Sequence, residues 1–137
     1  MLNFALPVSS SEALAMMVLF IALAGGLLTL IKPRMIMDWT GLRLVEGRQF
    51  GLSEIRGPLG GFYVGVALYV LLSPDRPYLI LASAFAFACF GRIVAYALDG
   101  VRSRENVLSF IGDAILATIP LMHVLGGFWF IEAIIGW

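Results

Sequence analysis

Long apolar runs alternate with short polar stretches along this chain. Residues 13–31, 58–72, 78–98 and 107–125 carry at most one Asp, Glu, Lys or Arg each. Three of these runs are close to the roughly 20 residues that a helix needs to cross the hydrocarbon core of a bilayer. The run at 58–72 is shorter, so its helix is expected to begin nearer Ser53. A helix satisfies its own backbone groups in lipid, whereas an open sheet leaves unpaired edges there. The pattern therefore predicts an all-α fold, a four-helix transmembrane bundle in a single domain over residues 1–137. Its helices are expected at about 12–32, 54–73, 78–98 and 107–125.

The polar stretches set where those helices stop and start. Ser9-Ser10-Ser11-Glu12 has the Ser-x-x-Glu spacing of a capping box, in which a hydroxyl and a carboxylate satisfy first-turn amides. Lys32-Pro33 ends the first helix, because proline disfavours helical geometry at the residue before it. Ser73-Pro74-Asp75-Arg76-Pro77 reads as a tight turn that makes the second and third helices antiparallel neighbours. Pro120 is expected to kink the fourth helix and Gly126-Gly127 to end it. The aromatic tail at 128–137, with Trp129 and Trp137, then reads as an interfacial segment at headgroup level. The connection at 32–56 mixes Met35, Ile36, Trp39, Leu42 and Val45 with charges, and is expected to lie along the interface with its apolar side down.

Composition supports the membrane reading: the 137 residues are 61% hydrophobic and 13% charged, with a mean hydropathy of +0.96. A soluble domain averages about half apolar and a quarter charged. A net charge of zero offers no basic footprint for nucleic acid. The expected partners are membrane lipids, a membrane protein or further copies of the chain. Ala22-Leu23-Ala24 resembles a signal-cleavage site, but no Lys or Arg precedes the run, so the first helix is expected to be retained. With four crossings, Lys32, Arg34, Arg43, Arg48, Arg56, Arg102 and Arg104 fall on one side and Arg76 on the other, leaving Arg92 embedded. That asymmetry places both connections in the cytoplasm and both termini outside.

Arg92 is the residue that the apolar pattern leaves unexplained. It lies seven residues, about 10 Å, inside Asp99 on the third helix. Asp113 lies seven residues inside Asn106 on the fourth, at the matching depth, so the two are placed to meet. Glu54 and Arg56 are expected to enter the same layer, with Ser109 and Tyr96 near it. Two readings stand side by side. In one, an ion-pair lock joins Arg92 to Asp113 and Arg56 to Glu54 or Asp99, and serves only to fix helix register. In the other, the layer holds a small anionic, lipid-like or quinone-like head, for which the arginine fork is suited.

Gly57, Gly61 and Gly65 recur every four residues, and Ala84 and Ala88 lead to Arg92 by the same step. Small residues at that spacing let helix backbones approach closely, so these faces are expected to pack the second helix on the third. Catalytic signatures are largely missing. There is no phosphate-binding loop, no H-E-x-x-H and no G-x-S-x-G. Ser53 has no activating base, His123 stands alone near the end of the fourth helix, and Cys89 has no second thiol. An enzyme is disfavoured, and neither cofactor nor metal is implied.

The string SEIRGPLGG at 53–61 (E-x-R-x-x-x-G-G) and the string GRIVAYALDG at 91–100 (G-R-x6-D-G) together resemble a bacterial family of small four-helix inner-membrane proteins classed as a domain of unknown function. The resemblance covers nearly the whole chain, including the proline that closes the first helix. It implies a multi-pass protein of the bacterial inner membrane with polar positions at Glu54, Arg56, Arg92 and Asp99, the first of them glutamate or asparagine. It implies no activity.

Overall fold

The structure, a computed structural model, describes residues 7–46, 48–127, 129, 133 and 134. Every regular element among them is helical. Helix α1 spans Ser10–Ile31, α2 Pro33–Thr40, α3 Phe50–Leu72, α4 Tyr78–Leu98 and α5 Arg104–Val124. All but α2 are long and apolar enough to cross a membrane, so the chain has the make-up of a multi-pass membrane protein. The interfacial reading of the aromatic tail falls outside the described residues, apart from the exposed Trp129, Ala133 and Ile134.

Local chemistry accounts for most helix ends. At the start of α1, the Ser9 hydroxyl accepts the Glu12 N–H at 3.1 Å, and the Glu12 carboxylate accepts the N–H of Val8 at 2.8 Å. The reciprocal bond of the expected capping box thus goes one residue further back. Lys32 leaves helical geometry at φ −122°, ψ 58°, as the residue before a proline must. Pro33 then serves as the first residue of α2, where its missing N–H costs nothing. The stretch after α1 is therefore a break followed by a two-turn helix, with Pro33 and Met37 buried and Arg34, Asp38 and Trp39 exposed. Helix α3 begins at Phe50, earlier than the apolar run suggests. Pro120 lies within α5, which continues through it to Val124. Gly126, at φ 67°, turns the chain out of that helix, a conformation that side chains with a Cβ rarely adopt.

The chain divides into two compact units, Met1–Val18 with Ser73–Trp137, and Leu19–Leu72, with α1 contributing to both. In the first, α4 and α5 form an antiparallel hairpin joined by residues 99–103, and the amino-terminal part of α1 packs on it. Ala15, Val18, Tyr78, Leu81, Ala82, Phe85, Ala117 and Pro120 are buried. In the second, the rest of α1 crosses α3 at two glycines. A Cβ built on Gly26 would lie 2.9 Å from the Val64 backbone nitrogen, and one built on Gly60 would lie 3.0 Å from that of Leu30. Backbone meets backbone there.

The expected glycine row does not make that approach. A Cβ at Gly57 or Gly65 meets nothing within 4 Å, and one at Gly61 meets only its own helix's Arg56 carbonyl at 3.7 Å. Helix α3 is also irregular in this region. Over Ile55–Gly61 the helix widens into a π-helical stretch around Pro58, and the Phe62 N–H donates to the Gly57 carbonyl five residues back. Pro58 lacks an N–H and its ring crowds the carbonyl four residues before it, so the ladder opens. Gly60, one position from the expected row, is the buried glycine that faces α1.

Gly60→Val is expected to destabilise the fold by about 1 to 3 kcal/mol, through overpacking against backbone that cannot yield. Gly65→Ala is expected to be neutral or to stabilise it by up to about 1 kcal/mol, because it removes a helix-interior glycine into open space. SDS titration of the protein in dodecylmaltoside micelles, followed by helical circular dichroism, checks both signs.

Candidate functional site

Two polar clusters form, and both lie in the first unit. The first joins the middle of the hairpin. Arg92 Nε on α4 donates to Asp113 Oδ2 on α5 at 2.6 Å, with 36% of the arginine side chain and 16% of the aspartate side chain exposed. Antiparallel helices with equal inset from their shared turn bring these positions to one level, which is what the sequence spacing allows. The Cys89 thiol donates to the Phe110 carbonyl at 3.7 Å, one turn deeper on α4. Towards the turn, Arg102 stacks on Tyr96 with its guanidinium carbon 5.4 Å from the ring centroid. The Ser103 hydroxyl caps α5 by accepting the Asn106 N–H, and the Asn106 amide donates to the Val101 carbonyl at 3.1 Å.

Arg92 also lines a cleft of about 150 Å³ together with Ile93, Tyr96, Asn106, Val107 and Phe110. Ile93 and Phe110 line, in addition, an apolar groove of about 410 Å³ that runs between α4 and α5 as far as Leu79 and Leu121. The cleft, like the groove, presents a mainly apolar surface.

The other expected members of the charged layer behave differently. Glu54 and Arg56 are exposed in the second unit and do not pair with each other. They flank the start of the π-helical stretch. Asp99 is exposed and caps the end of α4, its N–H donating to the Ala95 carbonyl at 3.1 Å. It makes no ion pair among the described residues. The Glu54–Arg56 pairing of the expected lock is therefore not made, and within the hairpin the ion pair is Arg92 with Asp113. Ala84 and Ala88 are half-buried on α4.

The second cluster was not expected from the sequence. At the opposite end of the hairpin, Arg76 Nη1 donates to Glu12 Oε1 at 2.5 Å, with side-chain exposures of only 11% and 12%. The Ser11 hydroxyl and His123 Nδ1 are in hydrogen-bond contact at 3.0 Å, and Ser9 and Ser11 hydroxyls at 2.9 Å. The Tyr78 ring meets the His123 ring edge-on at 5.2 Å. Arg76 adopts a positive φ of 40° to reach this position, a left-handed geometry that costs a residue with a Cβ about 1 to 2 kcal/mol. Pro77 follows it, and the nearly dry ion pair with Glu12 offsets the strain. Arg76 was legible only as a turn residue and Glu12 only as a cap, because each had a sufficient local explanation.

No family model, characterised protein or solved structure matches the chain. What the site can do must therefore be read from its own chemistry. Among the described residues, no three His, Cys, Asp or Glu side chains come together as a metal site would require. The two ion pairs act as cross-links, one holding α4 to α5 and the other holding the 73–77 turn to the start of α1.

Asp113→Asn is expected to lower stability by about 1 to 3 kcal/mol, since it leaves a guanidinium in an apolar span without its counter-charge. Arg76→Ala is expected to cost a similar amount by stranding the Glu12 carboxylate. Thermal unfolding in one detergent, compared across the three proteins, reads the differences.

Proposed function

We propose that the chain is a non-enzymatic, multi-pass protein of the bacterial inner membrane. It serves as an accessory subunit or as a homo-oligomer, its four long helices forming a bundle with Arg92 and Asp113 as an internal lock. The carrying observation is the 2.6 Å contact between Arg92 and Asp113. A guanidinium set about 10 Å inside the end of a membrane helix spends its charge on a partner within its own chain, which is the behaviour of a structural cross-link. The outward faces of the hairpin carry Phe87, Phe90, Leu108 and Ile115, all more than half exposed. These are surfaces suited to lipid or to another membrane helix. The seven basic residues Lys32, Arg34, Arg43, Arg48, Arg56, Arg102 and Arg104 support an orientation with both termini periplasmic and the Arg92–Asp113 pair in the cytoplasmic half.

A second reading, binding of a small anionic or lipid-like ligand, draws on the planar fork of Arg92. The oligomeric reading is tested by native mass spectrometry of protein released from lipid nanodiscs, counting polypeptides per particle. Two or more polypeptides in fixed ratio are expected; single chains throughout would contradict it. For the orientation, an alkaline phosphatase fused at the carboxyl end is expected to be active, and a fusion at residue 101 inactive. The reverse pattern would overturn the assignment.

A further inference from the structure

The connection between α1 and α3 folds into a recess of its own. Pro33 opens α2 and Gly41 closes it. Gly41 has a φ of 74°, its N–H meets the Asp38 carbonyl at 3.4 Å, and the Leu42 N–H donates to the Met37 carbonyl at 2.9 Å. A left-handed stop of this kind turns the chain away from the helix axis. Leu44 then anchors the following segment at the start of α3, where a Cβ built on Gly51 would lie 2.7 Å from its Cδ2. Between α2 and that segment lies a cleft of about 450 Å³, lined by Arg34, Met37, Asp38, Leu42, Arg43 and Leu44. All six residues belong to the second unit.

Two arginines and one aspartate around the cleft leave a single positive charge. Arg34 and Arg43 are exposed, and neither makes an ion pair among the described residues. Their planar forks are open to an acceptor from outside the chain, and two such forks suit the oxygens of one phosphate. The depth agrees with this. The cleft lies in the connection between two candidate membrane spans, after Ile31 and before Phe50, so it sits at head-group level and not inside the hydrocarbon. Trp39, Leu42 and Val45 are exposed in the same connection, an apolar edge suited to the interface beside a head group. A recess with both cationic and apolar walls at that level matches an amphiphile whose head carries one negative charge.

We infer that this cleft binds the phosphodiester head of one anionic phospholipid, its phosphate held between Arg34 and Arg43. Asp38 keeps the cleft selective for a head of low charge and offers an acceptor to a head-group hydroxyl. The inference rests on the membrane setting proposed above, and on neither the subunit role nor the direction of insertion.

The test uses the full chain in neutral detergent, native mass spectrometry, and three probes: phosphatidylglycerol, phosphatidylcholine with the same acyl chains, and inorganic phosphate. One phosphatidylglycerol per chain is expected to be retained, about tenfold more strongly than phosphatidylcholine, with no retention of phosphate alone. Arg34→Gln and Arg43→Gln are each expected to weaken that retention about tenfold while keeping the wild-type unfolding temperature, since both side chains are exposed. Arg48→Gln removes the same charge from the same connection but outside the cleft, and is expected to change retention by less than about twofold. A basic segment attracts anionic lipid through its overall charge alone, so an equal loss in all three variants would overturn the site. Equal retention of the two lipids would overturn it as well, and so would free phosphate binding as tightly as phosphatidylglycerol. Polypeptide count and lipid mass are separate readouts of the same spectra. Recovery of the chain with soluble rather than membrane proteins would contradict the membrane setting before any lipid is added, so the two failures are distinguishable.

Discussion

A guanidinium seven residues inside an apolar helix has to be neutralised, and that requirement organises the hairpin around it. A charge near the bilayer centre costs roughly 2.5 to 3.5 kcal/mol on insertion scales, and less as it nears an end. Arg92 meets the requirement through Asp113, which fixes the register of α5 against α4 and with it the position of everything else on that face. Cys89 opposite Phe110, the Tyr96–Arg102 stack and the mouth of the groove all follow from that register. At the far end of the same hairpin the Glu12–Arg76 pair does the equivalent work, tying the turn before α4 to the start of α1. The first unit is thus pinned by one ion pair in the middle of the hairpin and one at its far end, with small and aliphatic side chains packed between them.

The second unit is held by a different means. Among its described residues no ion pair forms; two backbones approach because Gly26 and Gly60 have no side chains to keep them apart. Small-residue contacts of this kind draw on van der Waals packing, which remains available in lipid where the hydrophobic effect between helices does not. Pro58 and Gly60 both lie in the widened stretch of α3.

Much of this could be read from the sequence, and the reasons why the rest could not are physical. The four long helices follow from the apolar runs, and the meeting of Arg92 with Asp113 follows from equal insets on antiparallel helices joined by a short turn. The Gly57-Gly61-Gly65 repeat suggested packing of the second helix on the third, whereas the close approach within the second unit joins α1 to α3 through Gly26 and Gly60, and Gly60 lies outside any four-residue repeat. Arg76 and Glu12 are 64 residues apart, and each looked complete in its own turn or cap, so nothing local announced their pairing. Likewise His123 is solitary in sequence but meets Ser11 and Tyr78 at the end of the fold. Glu54 and Arg56 suggested a layer by their charge alone, and charge without a matching depth argument did not locate a partner.

The most direct test of the account is the Arg92–Asp113 contact itself, observed in a bilayer. Solid-state NMR with nitrogen-15 in the arginine side chains and carbon-13 in the aspartate carboxyls measures their dipolar coupling in reconstituted membranes, with Arg92→Lys as the assignment control. The account predicts a strong coupling consistent with an Nε···Oδ2 separation of 2.6 Å that vanishes in the control. A spectrum without such coupling, or one identical in the control, would contradict the lock.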